Sequence, residues 1–162
     1  GLWRFKETRI PSTCILPSII RLEIDHLCSE RVALVQQSLI LPIRGYGLWS
    51  TLHGFMAVKG DLNTVVGMGF YQHAETPGLG GEVDNPNWKG LWPGKQLFDE
   101  QGKPVIRIVK GGVDPASPQA KHQVDALAGA TLTSNGVDRL IQFWLGEQGF
   151  GPLLARLRTQ GA

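Results

Sequence analysis

The stretch H-G-F-M-A-V-K-G-D-L-N-T-V-V-G-M-G-F-Y-Q, residues 53–72, decides the fold class. His53 to Val58 reads as a strand and Thr64 to Gln72 as its partner. Lys59-Gly60-Asp61-Leu62-Asn63 between them is a hairpin loop. So short a link makes the pair antiparallel. On the N-terminal side, Arg44-Gly45-Tyr46-Gly47 reads as a turn. Before it, Val32 to Val35 and Leu39 to Ile43 read as two strands joined by Gln36-Gln37-Ser38. On the C-terminal side, Trp88 to Trp92 reads as one helical turn ended by Pro93-Gly94, and Pro104 to Val109 as a strand. Further on, Val137, Leu140, Ile141 and Trp144 fall at i, i+3, i+4 and i+7, one face of a helix. Thr131, Thr133 and Ser134 are its candidate N-caps, Asp138 suits the first turn, and Gly146 is its stop. A second short amphipathic piece runs from Pro152 to Arg158. Hairpins followed by a terminal helix, without βαβ spacing, predict an α+β fold: an antiparallel sheet with flanking helices.

The chain of 162 residues fits one domain and can bury a core without disulfides or metals. Apolar residues are 42% and charged ones 19%, which excludes a disordered chain and a coiled coil. The formal charge of +2 is too weak to argue for nucleic-acid binding. The 21 glycines show no collagen period, so they point to sharp bends and close approaches. Cys14 and Cys28 are too few for a disulfide scaffold and lack C-x-x-C spacing; buried free thiols are favoured over a single disulfide. No run reaches the ~18 apolar residues of a membrane span. The chain starts at Gly1 and not at Met, so it reads as a processed or truncated piece. Residues 1–37 carry no clean period and form a poorly readable N-terminal segment; residues 38–162 form the domain.

Two segments could hold chemistry. In D-A-L-A-G-A-T-L-T-S, residues 125–134, Gly129 and Ala130 allow close backbone approach. Three hydroxyls follow at a helix start, where free N–H groups and a partial positive charge suit a phosphate. The plainer alternative is a hydroxyl-rich cap that binds nothing. In A-E-T-P-G-L-G-G-E-V-D-N-P-N, residues 74–87, three glycines, two prolines and three acids exclude a helix or central strand. Its alternatives are a functional loop and a solvated one. Gly111 to Gln119 is another loop. No P-loop, dinucleotide fingerprint or G-x-S-x-G elbow occurs. His26, His53, His73 and His122 are scattered without ligand spacing, so no metal site is expected.

Asp125 to Thr131 resembles the flavinylation motif D-x-x-[S/T]-G-A-T of FMN-binding domains, with Ala128 at the Ser/Thr position. The resemblance extends over G-Y-G-L-W-S at 45–50, E-T-P-G-L-G-G-E-V at 75–83, K-Q-L-F-D-E at 95–100 and I-V-K-G-G at 108–112. It continues through T-L-T-S-N-G-V, F-W-L-G and G-F-G-P. Together these segments, over about residues 38–158, are similar to the C-subunit family of Na⁺-translocating NADH:quinone oxidoreductases, relatives of the G component of the Rnf complex. Residues 1–31 do not share the likeness, and the family's N-terminal membrane helix is not found in them.

The resemblance implies a fold, a cofactor and a set of roles. Thr131 would carry FMN through a phosphoester bond. Its hydroxyl needs activation, and no built-in base is visible, so a separate flavin transferase with FAD as donor is implied. Asp125 would be a recognition residue for that enzyme. Thr133 and the N–H groups after Thr131 would hold the phosphate, with Gly129 and Ala130 letting the backbone approach the cofactor closely. Thr76, Leu79 and Trp49 would lie against the isoalloxazine ring. Gly78, Gly80 and Gly81 would let the loop come close, and Glu75 would hydrogen-bond backbone within the loop. Lys110 would supply a cation near the flavin. The alternatives are core packing for Trp49 and a solvated strand end for Lys110. The implied role is electron carriage from an iron–sulfur centre to another subunit's FMN, in a complex of the bacterial inner membrane, on the periplasmic side. Membrane association would need the missing helix. The isolated chain would not turn over NADH. The rival readings are a non-covalent flavin module and an unflavinylated structural subunit.

Overall fold

The computed structural model describes residues 38–160. The strand expected at Val32 to Val35, and both cysteines, lie outside them. Three strands form one antiparallel sheet in the order β1 (Ser38–Tyr46), β2 (Thr51–Lys59), β3 (Val65–Gln72). Residues alternate between faces along a strand. Leu41, Ile43, Leu52, Met56, Val58, Val65, Met68 and Phe70 accordingly share the buried face. The hairpin of residues 53–72 forms as the sequence predicts, with bulges between His53 and Gly54 and between Ala57 and Val58 in its register. The segment Arg44–Tyr46 is a correction. It continues β1, pairing Arg44 with His53 and Tyr46 with Thr51, and the turn falls at residues 47–50. Arginine and tyrosine at exposed positions of an alternating strand obey the same period that buries Leu41 and Ile43.

A short helix, α1 (Pro86–Lys89), starts two residues before the expected Trp88. Asn85 caps it by accepting from the Asn87 N–H, and Pro86 occupies its first turn. The strand expected over 104–109 shrinks to β4 (Arg107–Val109). Its partner is β5 (Gln123–Asp125), and the pair is parallel, not antiparallel. A 3₁₀ turn, Pro118–His122, leads into β5. The long helix α2 spans Thr131–Leu145, and Gly146 ends it as expected. A last helix, α3, spans Gly151–Gln160.

Helix α2 packs on β1 and touches β4. Val137, Leu140, Ile141 and Leu145 enter the core, each such burial contributing about 1.5–3 kcal/mol. Two glycines set the closeness of this contact. A Cβ on Gly45 would meet Leu140 at 2.8 Å, and one on Gly136 would meet the Tyr46 carbonyl oxygen at 2.5 Å. Trp144 Nε1 donates to the Arg44 carbonyl at 2.8 Å. Asp138 accepts from the Ile108 N–H at 2.9 Å and pairs with Arg107 at 3.2 Å. The middle and C-terminal part of α2 is thereby fixed against the end of β1 and the start of β4.

Candidate functional site

Three stretches far apart in sequence meet at the start of α2: the turn at 47–50, the loop at 73–81 and residues 125–134. The centre is Glu75, 5% exposed. Its carboxylate accepts from the backbone N–H groups of Leu48, Trp49 and Ser50 at 2.9–3.2 Å. It also accepts from the Ser50 hydroxyl at 3.1 Å and the Thr133 hydroxyl at 2.7 Å. Burial alone would raise its pKa. The hydrogen bonds from Thr133, Trp49, Leu48 and Ser50 outweigh that and hold the carboxyl below its ordinary value. Glycines make the room. A Cβ on Gly47 would lie 2.7 Å from Glu75 Oε1, and one on Gly80 would lie 2.5 Å from the Thr133 hydroxyl. Gly80 thus has a steric reason inside the protein.

The loop around Glu75 is ordered by its own backbone. His73 Nε2 lies 2.7 Å from Asp84, and His73 Nδ1 accepts from the Glu75 N–H at 3.3 Å. That pair of contacts fits the tautomer protonated on Nε2. The Thr76 carbonyl accepts from Leu79 and Gly81, with Gly78 between them at φ +76°. A 3₁₀ turn then covers Gly80–Asp84, so the segment expected to be irregular holds local order. Leu79 is raised to the surface, about half exposed, and its side chain would lie 3.3 Å from a Cβ on Gly129. Gly129 has φ +71°, which explains a glycine at the turn into α2.

The three hydroxyls expected as caps separate here. Ala130 takes the N-cap position, without a side-chain cap, because all three lie inside the helix. Thr133 donates to Glu75. Ser134 donates to the Ala130 carbonyl and accepts from the Leu127 N–H. Both are buried. Of the three, only Thr131, half-exposed at the first helical position, has a hydroxyl that no other described residue hydrogen-bonds. With no side-chain cap, the N–H groups of the first turn also remain available to an anion.

The other expected residues are placed less closely. Trp49 is 66% exposed and Thr76 is exposed; Trp49 is tied to Glu75 only through its backbone. Asp125 accepts from the Val113 N–H at 2.6 Å, and its carbonyl accepts from Trp88 Nε1. Lys110 is exposed and makes no ion pair among the described residues. A groove of about 450 Å³ runs beside α2, lined by Arg44, Tyr46, Leu48, Leu132, Arg139 and Phe143 among others; neither Thr131 nor Leu79 lines it. Sequence reasoning misses the Glu75–Thr133 bond. Its only signal is the crowding of small residues at 45–50 and 78–81 around a single acid.

An uncapped helix start, a hydroxyl left unbonded beside it and apolar Leu79 and Leu132 on the surface fit a phosphate ester with a flat apolar ring. Known proteins agree. Residues 47–146 match the model of the FMN-binding domain. The chain is 70% identical over 121 residues to the C subunit of the Na(+)-translocating NADH-quinone reductase of Pseudomonas aeruginosa, covering 75% of this chain and 46% of that protein. It is 57% identical over 119 residues to the protein of the same name in Yersinia pestis, covering 74% and 44%. The chain thus spans about half the length of the curated relatives it matches. Among solved structures, NqrC of Shewanella oneidensis superposes with a TM-score of 0.70 at 47% identity, over 75% of this chain and 55% of that one. The C subunit from Parabacteroides distasonis gives 0.63 at 35%, over 72% and 56%. The antiparallel sheet with its packed helices and the match over residues 47–146 say the same thing: this chain belongs to the FMN-binding domain family, in its NqrC branch.

Proposed function

We propose that this chain is the flavin-carrying part of the C subunit of a Na⁺-translocating NADH:quinone reductase, with FMN joined to Thr131 by a phosphoester bond. One observation carries the assignment to Thr131: of the three hydroxyls at the start of α2, its own is the only one that the described residues leave unbonded. FMN, once bound, supplies one- and two-electron chemistry that no side chain here can perform. The chain's own part is to position and to shield. The first-turn N–H groups of α2 and the partial positive charge of the helix start stabilise the phosphate. Leu79, with Thr76 and Trp49, supplies the wall for the ring. Gly129, at φ +71°, and Ala130 keep that approach open. Lys110 is proposed as the nearby cation, and Gly78, at φ +76°, as the glycine that lets the loop backbone come close. Thr133 supports the site from beneath, since its proton is committed to Glu75.

No described residue hydrogen-bonds the Thr131 hydroxyl as a base would, which supports attachment by a separate transferase with FAD as donor; Asp125 is proposed as part of its recognition. The carrier would relay electrons between an iron–sulfur centre and another subunit's FMN, on the periplasmic side of the inner membrane. No helix among the described residues is long and apolar enough to cross a membrane. The deciding experiment is co-expression with a flavin transferase, followed by intact-mass and peptide mass spectrometry. The chain should gain the mass of FMN less one water on the peptide holding Thr131, and Thr131→Ala should abolish the gain. Flavin found on any other residue refutes the assignment. Flavin that leaves on denaturation favours the non-covalent module instead.

A further inference from the structure

We infer that Glu75 is a positioning residue of the flavin site: its one carboxylate clamps the turn that carries Trp49 to the helix start that carries Thr131. This rests on the function proposed above, and it reaches a residue to which that reading assigns no task at the flavin.

The geometry separates the two oxygens of the carboxylate. Oε1 accepts from the N–H groups of Leu48, Trp49 and Ser50 and from the Ser50 hydroxyl. Oε2 accepts from the Leu48 N–H and from Thr133 Oγ1. Oε1 therefore holds only the turn, while Oε2 holds α2 and shares the Leu48 N–H with Oε1. Thr133 is two residues from Thr131, and Trp49 is in the middle of the turn. The same side chain closes both contacts, so a shift of Glu75 changes the spacing between the proposed ring wall and the proposed attachment point. Gly47 and Gly80 flank the carboxylate where no Cβ fits, so the clamp is built into the backbone on both sides. Its negative charge lies between the turn that carries Trp49 and the start of α2, where it disfavours added electron density on a ring packed against that turn.

An uncharged isostere separates position from charge. In Glu75→Gln the retained oxygen still receives the turn's N–H groups. The new amide can donate to Thr133, whose hydroxyl rotates to accept, and the Leu48 N–H gives up Oε2 but keeps its 3.2 Å contact to Oε1. Geometry is kept and one negative charge is lost. The test uses the full chain flavinylated by co-expression, with its midpoint potential and visible circular dichroism measured at Thr131-linked flavin. Glu75→Gln is expected to raise the midpoint potential while leaving backbone amide exchange at Leu48, Trp49 and Ser50 slow. Thr133→Val, which cuts only the link to α2, is expected to change the visible dichroism with attachment intact. Glu75→Ala is expected to speed exchange at the three amides by about tenfold or more. Wild-type potential and dichroism in both the Gln and Val variants overturn the inference, even if the Ala variant fails to fold. A wild-type chain that takes no flavin at Thr131 refutes the proposed function itself, and the inference with it. Flavin on the wild type, with both variants unchanged, sinks only the inference.

Discussion

Gly136→Ala should destabilise this protein although it places a better helix former in the middle of α2. Alanine is favoured over glycine in a helix interior by about 1 kcal/mol. Against that stands a clash. The new Cβ would lie 2.5 Å from the Tyr46 carbonyl oxygen, 3.0 Å from Gly47 Cα and 3.2 Å from the Gly47 carbonyl oxygen. Carbon–oxygen contacts settle at about 3.3 Å, so the worst overlap is about 0.8 Å. All three obstacles are backbone. They cannot swing aside as a side-chain tip would, because Tyr46 ends β1 and Glu75 holds the turn that follows. Overpacking of this kind costs about 1–3 kcal/mol, and a backbone obstacle belongs at the upper end. The net expectation is a loss of about 2 kcal/mol. For a domain of this size that lowers Tm by about 8 °C. Gly67→Ala is the control. Nothing lies within 4 Å of its Cβ position, so the same change in β3 should stabilise by about 0.5–1 kcal/mol. Thermal unfolding of the two variants followed by circular dichroism decides. An unchanged or raised Tm for Gly136→Ala, or an equal fall for Gly67→Ala, refutes the steric reasoning.

Three further outcomes follow from particular contacts. The Glu75 carboxyl is held below its ordinary pKa, so its contribution is complete above the unfolded-state value, near about 4.3, and is lost as pH falls through the lower folded value. The stabilities of wild type and Glu75→Gln should therefore differ above about pH 4.3 and converge as pH falls through the lower folded value; parallel curves over the whole range would remove Glu75 from the account. Asp138→Ala leaves the Ile108 N–H without its acceptor and should destabilise by about 1–2 kcal/mol, whereas Arg107→Ala, mostly exposed in the same pair, should change urea stability by less than about 0.5 kcal/mol. Leu79→Glu should leave attachment at Thr131 intact and alter the flavin spectrum or potential; an unaltered flavin in this variant and in Trp49→Ala would place the ring elsewhere.

Where a feature is local, the sequence carries it. The hairpin at 53–72 is legible because a strand period flanks a five-residue polar loop. Helix α2 is legible because Val137, Leu140, Ile141 and Trp144 repeat at helical spacing with Gly146 after them. Pairings over distance are not legible. Three residues of β4 and three of β5 carry too little pattern to show that they pair, or that the pairing is parallel. Arg44–Tyr46 looks like a turn because its glycine is a turn former, whereas that glycine exists to admit Leu140. Thr133 and Ser134 have the composition of caps, and only the observed start at Thr131 shows that both lie deeper in the helix. Glu75 sits in a segment whose polarity points to solvent. Its burial depends on partners at positions 48–50 and 133, and no local window contains them.

The Glu75–Thr133 bond also has a consequence for the order of events in making this protein. It closes a span of 58 residues. A chain grows from its N-terminus, so Trp49 and Glu75 leave the ribosome well before the residues that begin α2. Until that helix arrives, the carboxylate can collect the turn's N–H groups but has nothing to hold them to. Closing so long a loop carries an entropic penalty that the packing of Val137 and Leu140 on β1 must first offset. The proposed flavin site is therefore completed late, after nearly the whole domain has been synthesised. A group joined to Thr131 in its folded setting meets a finished protein, and a chain cut short before residue 131 presents a sheet and a turn with no place to load it.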